Sequence, residues 1–347
     1  MRRVGIVGAG LIGTWHAARW KQLPVELVGF YDIVPEMATE AVAKFGGRLF
    51  DSLDDLLAAV DVMDVCSPTP HHNMPVLAAA AAGKDIVCEK PLARRPGEAK
   101  EMIAACQAAG VRLFVAQVVR FFRQFSQAKA VLDSGALGRP GFIRTVRGGA
   151  SPLSPPLVGT KGESRRAWFA DFEQSGGVIM DVSIHDLDFA RWCFGDVERV
   201  FARGLTFAGV EPYDHALITL RFKNGAIGHV EGSWAYPPGR FRTRFEIAGD
   251  QGLLEFDSLA PAPLTMILRS DESPQAPGIP RPHSPLSPRD DPYFLELAHF
   301  LNCLESGDAF LVSPQDGLEA VTLSLATIES IRIGRPVYLD EFEESLV

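Results

Sequence analysis

Residues 4–13 read Val-Gly-Ile-Val-Gly-Ala-Gly-Leu-Ile-Gly, and this stretch restricts the chain more than any other. Val4, Ile6 and Val7 form a short apolar run, as a strand buried on both faces requires. Gly8, Gly10 and Gly13 then set G-x-G-x-x-G where that strand turns into a helix. Without Cβ atoms the backbone turns tightly and lies close to a pyrophosphate, whose charge the N–H groups and dipole of the new helix favour. Leu11 and Ile12 sit inside the fingerprint and are expected to share in cofactor binding. Any Gly-rich strand–helix turn can mimic the pattern, but the context agrees with it. A helix to about Lys21, a connection ended by Pro24 and a second apolar run over 25–31 follow. That run leads into Asp32, about twenty residues past the fingerprint, where the ribose hydroxyls of a dinucleotide are held. Ile33 and Val34 come next, with no Lys or Arg to offset the Asp32 charge, so NAD is expected over NADP.

The chain has 347 residues, for which two domains are the natural expectation, and its 47% hydrophobic content suffices for two cores. Its net charge is −9, with no basic stripe, which argues against nucleic acid as a partner. No apolar run approaches the roughly 18 residues of a membrane span, and the first strand starts too early for a signal peptide. Cys66, Cys88, Cys106, Cys193 and Cys303 are scattered and odd in number, without C-x-x-C spacing. They read as reduced thiols in a cytoplasmic protein, with neither a disulfide frame nor a metal site.

After Asp32, strand and helix patterns alternate as far as a strand over 112–116. That alternation predicts right-handed crossovers, an α/β Rossmann domain with a doubly wound parallel sheet over 1–118, and ligands at the carboxyl ends of its strands. The remainder, 119–347, reads as an α+β domain for substrate binding and oligomerisation. Six strand-like segments (142–146, 200–206, 215–222, 227–235, 242–248 and 253–256) predict a large, mostly antiparallel open sheet. Turn signals such as Lys223-Asn224-Gly225 suggest a meander. Such a sheet, with helices on one face, leaves the other for a partner subunit, so a homo-oligomer (dimer or tetramer) is expected through it. Residues 271–292 are rich in Pro and Ser and predict an exposed loop. Ser313-Pro314 predicts the start of a final helix that Gly334 closes, and the last helices are expected to pack back on the first domain.

Two constellations carry chemistry. Glu89-Lys90-Pro91 follows a predicted parallel strand, where a lysine can hydrogen-bond a hydroxyl and steady a developing alkoxide. In isolation the tripeptide also reads as a solvated loop. Gly176-Gly177 predicts the opening of a helix on which Asp181 and His185, four apart, share a face. A carboxylate beside an imidazole favours the imidazolium, which suits the pair to taking a proton from an alcohol. His185 also falls on the apolar stripe of Val178, Val182, Phe189 and Trp192, as a packed core histidine would. His16 and His299 read as structural.

Together the Gly-rich fingerprint, Thr69-Pro70 with His72, Ala82-Gly83-Lys84, Glu89-Lys90-Pro91-Leu92 and Gly177…Asp181…His185 resemble the glucose–fructose oxidoreductase and inositol dehydrogenase (Gfo/Idh/MocA) family. The likeness runs the length of the chain and includes Arg120-Phe121, Trp168, Asp188 and Trp192. It implies an NAD(P)-dependent dehydrogenase acting on a CH–OH group of a sugar, polyol or inositol. Lys90, Asp181 and His185 occupy the family's catalytic and substrate-binding positions, and Arg120 and Trp168 are implied as further substrate contacts. Ser67, Thr69, His72, Glu89 and Lys90 match positions near the cofactor. Three other readings stay open at this stage: an NAD-recycling glycosidase, a sugar–sugar oxidoreductase and a non-catalytic NAD-binding regulator. Residues 151–156 match no subgroup, so the substrate itself is not implied.

Overall fold

The computed structural model describes residues 1–152, 167–260, 264–268 and 290–344. Residues 153–156 of the Pro-rich stretch and 271–289 of the expected loop lie outside the described residues. The first part of the chain alternates strands and helices: β1 (Arg2–Val7), α1 (Leu11–Trp20), β2 (Val25–Tyr31), α2 (Pro35–Phe45), β3 (Arg48–Leu49) and α3 (Leu53–Ala59). Then come β4 (Val62–Val65), α4 (Asn73–Ala81), β5 (Asp85–Glu89), α5 (Pro96–Ala109) and β6 (Leu113–Ala116). The second part holds α6 (Arg123–Asp133), β7 (Pro140–Ala150), α7 (Ala167–Ala170), α8 (Phe172–Ser175) and α9 (Ile184–Phe194). It continues through β8 (Val197–Leu205), β9 (His215–Phe222), β10 (Ile227–Tyr236), β11 (Arg242–Gly249), β12 (Gly252–Asp257) and β13 (Leu264–Leu268). The chain ends with α10 (Pro292–Ser306), α11 (Pro314–Ile333), β14 (Val337–Tyr338) and α12 (Leu339–Glu344). Two compact units result: Met1–Phe122 with Ser284–Leu318, and Arg123–His283 with Glu319–Val347.

The first unit is the doubly wound fold that the alternation predicts. Its six strands are parallel in the order β3-β2-β1-β4-β5-β6, so the order reverses between β1 and β4. A crevice at the carboxyl ends of those two strands is where such sheets take ligands. The α10 helix belongs to this unit. Asp291 caps it by accepting the Phe294 N–H at 3.0 Å, and the same carboxylate pairs with Arg19 of α1 at 2.5 Å. Phe300 of α10 lies 5.9 Å from Phe114 of β6 and 5.6 Å from Phe310 between ring centroids, which seals the apolar layer on that side.

The second unit is an eight-stranded sheet in the order β13-β12-β11-β7-β10-β9-β8-β14. It is mixed rather than a simple meander, because β10 runs parallel to β7. The chain leaves β7 through helices and lays down β8 and β9 before returning beside it, and parallel neighbours need such a long crossover. The edge strands β13 and β14 and the helix α12 lie beyond the elements expected from the sequence, so α11 is not the last helix. One face is covered by α6 and α9, where Phe125 meets Phe189 edge-on at 4.8 Å and Phe245 at 5.2 Å. Burying each such ring stabilises the unit by about 1.5–3 kcal/mol. The other face carries, in register, Arg203, Leu217, Glu231, Val146, Arg244 and Asp257, so apolar and charged side chains alternate along it.

Between α8 and α9 the chain makes a π-helical turn over Ile179–Ser183. Gly232 of β10 lets this turn approach the sheet, since an added Cβ would fall 1.9 Å from Ser183 Oγ. Gly232→Ala is therefore expected to destabilise the second unit by about 1–3 kcal/mol through overpacking. Adding Ser183→Ala, which removes the clashing hydroxyl, should restore much of that loss in denaturant titrations. Equal midpoints for the wild type and Gly232→Ala would show that the turn does not depend on this contact.

Candidate active site

In the first unit the three fingerprint glycines have separate reasons. Gly8 adopts φ +92°, and a Cβ there would lie 2.5 Å from the Ser67 nitrogen, so the β1 end and the chain after β4 touch backbone to backbone. A Cβ at Gly13 would fall 1.9 Å from the Gly8 carbonyl oxygen, which fixes how closely α1 packs on β1. At Gly10 the nearest atom to such a Cβ is 4.0 Å away, in the Met37 side chain. That open backbone at the N-terminus of α1 fits a dinucleotide phosphate. Leu11, half exposed at 52%, begins α1 beside it.

Asp32, just past β2, accepts the Ala9 N–H at 2.7 Å on one oxygen and the Val34 N–H at 2.8 Å on the other. A carboxylate offers about four acceptor positions, so two hydrogen bonds leave capacity for ribose hydroxyls. Ile33 and Val34 are exposed, and neither brings a positive charge to that edge.

Ser67, Thr69, His72, Glu89 and Lys90 gather at the carboxyl ends of β4 and β5. His72 is buried, with Nδ1 2.9 Å from the Pro91 carbonyl and Nε2 2.8 Å from the Ser67 carbonyl. Its ring ties the two loops together, and burial draws its pKa below the ordinary imidazole range. Thr69 is buried in a 3₁₀ turn, and the Ser67 hydroxyl donates to the His71 carbonyl at 3.0 Å. The Lys90–Pro91 peptide is cis. Arg120 is only 2% exposed, donates to the Leu311 carbonyl at 2.9 Å and pairs with Asp316 at 3.3 Å. Those contacts hold the turn after β6 against the start of α11.

In the second unit, Asp181 lies within the π-helical turn and His185 in the first turn of α9. This differs from the regular helix expected after Gly176-Gly177, because the π turn widens the winding between the two residues. Asp186, next to His185, is buried and pairs with Arg147 of β7 at 2.5 Å. Burial raises the Asp186 pKa despite the neighbouring guanidinium, and the pair pins the start of α9 to the sheet. Trp168 on α7 stacks on Phe169 with centroids 3.9 Å apart.

Sequence reasoning passed over a buried polar cluster below the β4 and β5 ends. Trp20 Nε1 donates to Asp64 at 2.7 Å, His16 Nδ1 meets Asp64 at 2.9 Å, and His16 Nε2 meets Glu89 at 3.1 Å. The Cys66 thiol donates to Asp64 at 3.3 Å. His16, Asp64 and Cys66 lie close enough together to suit a metal ion, but these hydrogen bonds already engage them. The signal was Asp64 itself, one acid inside the apolar strand Val62–Val65. Glu296 of α10 joins the cluster fully buried, and neither oxygen has a hydrogen-bond partner among the described residues. Burial, then the charge of Glu89, pushes its pKa well above the carboxylate range.

Residues 2–117 match a family described as an oxidoreductase family with an NAD-binding Rossmann fold. Residues 125–255 match the GFO/IDH/MocA C-terminal domain. A myo-inositol 2-dehydrogenase of Thermotoga maritima is 31% identical over 98% of this chain and 99% of its own. A scyllo-inositol 2-dehydrogenase (NAD(+)) of Bacillus subtilis is 29% identical over 97% of this chain and 96% of its own. Among solved structures, levoglucosan dehydrogenase in complex with NADH and levoglucosan superposes with a TM-score of 0.84 at 25% identity, covering 97% of this chain and 98% of that one. The chain is an NAD-binding oxidoreductase, and it belongs to the Gfo/Idh/MocA family. Among the described residues no helix is long and apolar enough to cross a membrane.

Glu296 yields a prediction of sign. An acid whose folded pKa is raised stabilises the fold fully below its unfolded pKa, and that contribution is lost as pH rises towards the folded value. Each pH unit in that window costs up to about 1.4 kcal/mol. Glu296→Gln keeps shape and neutrality, so its melting temperature should gain on the wild type as pH rises from 5 to 8. A constant difference between the two proteins would mean that Glu296 is ionised in the folded state.

Proposed function

We propose that this protein oxidises a secondary alcohol of a sugar, polyol or inositol-like substrate. The observation that carries the reading is the full set of Lys90, Asp181 and His185 in a chain 31% identical to a myo-inositol 2-dehydrogenase. NAD, when bound, takes up the hydride from the carbinol carbon. His185 removes the hydroxyl proton as general base, and Asp181 orients its ring and stabilises the charged form. Lys90 hydrogen-bonds the reacting oxygen and steadies negative charge on it. Gly8, Gly10, Leu11, Ile12 and Gly13 receive the pyrophosphate, Asp32 the adenosine ribose, and Ser67, Thr69, His72 and Glu89 shape the cofactor edge near Lys90. Trp168 contributes substrate contact, and Arg120 holds the turn after β6. We place the enzyme in the cytoplasm as a homo-oligomer built on the open face of the second sheet, where Leu217 and Ile227 are exposed among charged neighbours. Light scattering that shows only a 38 kDa species at micromolar concentration would exclude the oligomer.

The test is a screen of inositols, aldoses, levoglucosan and hydroxy acids with NAD, following reduced-cofactor absorbance. Sugar release without NADH formation would instead indicate a redox-neutral glycosidase, and no reaction with any alcohol would remove the assignment. On the best substrate, His185→Ala should lose about 10²–10⁴ in turnover, roughly 3–5 kcal/mol. Its NAD affinity should be unchanged, because the fingerprint and Asp32 are intact. Lys90→Ala should lose a comparable factor and also weaken NAD. Near-normal turnover in His185→Ala would leave that histidine a packing residue. NAD should be preferred over NADP by about 2–4 kcal/mol, since a 2′-phosphate would displace hydrogen bonds to a charged carboxylate. Equal efficiency with NADP would overturn the role given to Asp32.

A further inference from the structure

We infer that His16, which touches neither substrate nor cofactor in the reading above, is a positioning residue for Lys90 and acts through Glu89. The inference rests on that reading for the importance of Lys90, but its geometry lies wholly within the first unit. From α1, His16 presents Nδ1 to Asp64 of β4 at 2.9 Å and Nε2 to Glu89 of β5 at 3.1 Å. The second Glu89 oxygen accepts the Lys90 backbone N–H at 3.0 Å. Asp64 is held in turn by the Trp20 indole N–H at 2.7 Å. A continuous line thus runs from Trp20 through Asp64, His16 and Glu89 to the Lys90 backbone.

The chemistry of the line gives it direction. Nδ1 makes a hydrogen bond to Asp64, whereas Nε2 faces the Glu89 oxygen in an ion-pair contact without hydrogen-bond geometry. Two carboxylates at these distances favour the imidazolium form of His16. Burial opposes that charge, but the Asp64 carboxylate works against burial by its charge and its hydrogen bond, and the His16 pKa lies above the ordinary imidazole range. The groups facing it from neighbouring elements are Asp64 and Cys66 from β4 and its end, Glu89 from β5, and Tyr293 and Glu296 from α10. Burial raises the pKa values of Cys66, Tyr293 and Glu296, so these three stay neutral and leave the ring to its two anions. His16 and Asp64 have no exposed surface and Glu89 has 6%, so Glu89 is held without competition from water. The charge-assisted hydrogen bond to Asp64 fixes the orientation of the ring, which then holds Glu89 through a buried ion pair. A catalytic group displaced by about 1 Å can cost 10²-fold in rate.

The experiment has two arms, both on the full chain. In the first, reductive methylation with ¹³C-formaldehyde gives each lysine a methyl resonance, and Lys90 is identified by its absence from Lys90→Ala. His16→Gln should move the Lys90 resonance towards those of exposed lysines. Glu89→Gln should move it the same way, which covers the case in which His16→Gln does not fold. An unmoved resonance in folded variants overturns the inference. The second arm measures oxidation of myo-inositol, scyllo-inositol and levoglucosan with NAD. His16→Gln should lower kcat by roughly 10²-fold, with KM for NAD within about threefold, and cost nothing further in a Lys90→Ala background. The same loss in both backgrounds would show that His16 acts independently of Lys90 and would also overturn the inference. If the wild type oxidises none of these alcohols, the reading of the site fails, while the resonance arm still decides whether His16 positions Lys90.

Discussion

The structure of the first unit depends on how it keeps charge inside a parallel sheet. Asp64 is the third of the four residues of a strand whose others are apolar, and it has no exposed surface. An unpaired carboxylate there would be costly enough to take up a proton or disrupt the fold. Trp20, His16 and the Cys66 thiol all direct hydrogens at it instead. Because Trp20 and His16 both belong to α1, one carboxylate fixes the rotation of that helix about its axis. The rotation of α1 in turn decides where its free N–H groups point. The phosphate-facing end of the helix is thus set by polar contacts several residues farther along, as well as by the glycines that let it approach β1.

Much of this unit is legible in the sequence because its elements obey local rules. The apolar run before Gly8, the capping serine before α3, and Gly110 at the end of α5 each act within a few residues. The carboxyl ends of β4 and β5 are equally legible as a ligand edge, since parallel topology alone puts them there. The links between those ends are not. His72 joins two loops through carbonyl oxygens, and His16 joins β4 to β5 through side chains whose partners are 48 and 73 positions away. Nothing in the local pattern separates such histidines from ordinary core residues. A lone Asp in a buried strand and a lone Glu on the packed side of α10 were the visible marks that polar partners must exist.

The second unit was legible at the level of strands and less so in how they pair. Alternation along β9 and β10 gives the strands, but alternation carries no information about which strand lies beside which. Hydrogen-bond register places β10 parallel to β7, and that parallel step puts Gly232 between Arg147 and Ala216 rather than beside a residue of β11. The consequence reaches the chemistry, because Gly232 is where the π turn carrying Asp181 presses on the sheet. A sequence pattern with a period of 3.6 cannot register one extra residue in one turn, so the Asp181–His185 spacing was read as a regular helix.

That extra residue has a physical rationale in what surrounds it. A π turn forgoes the regular i→i−4 ladder and is tolerated where neighbouring contacts determine the backbone. Here Gly176 and Gly177 enter it with φ of +73° and +65°, and the Arg147–Asp186 pair secures its exit. A Cβ at Gly176 would lie 2.4 Å from the Met180 sulfur, so the entry accepts no side chain without moving the turn. The turn is thus determined at its entrance by backbone geometry, along its side by the missing Cβ of Gly232, and at its exit by a buried ion pair. Asp181 sits within the span those constraints define, and His185 directly follows it. A regular α-helix through the same residues would rotate Asp181 relative to α9 while leaving the Arg147–Asp186 anchor in place. The irregularity therefore sets the angle between acid and imidazole independently of the helix that carries the imidazole.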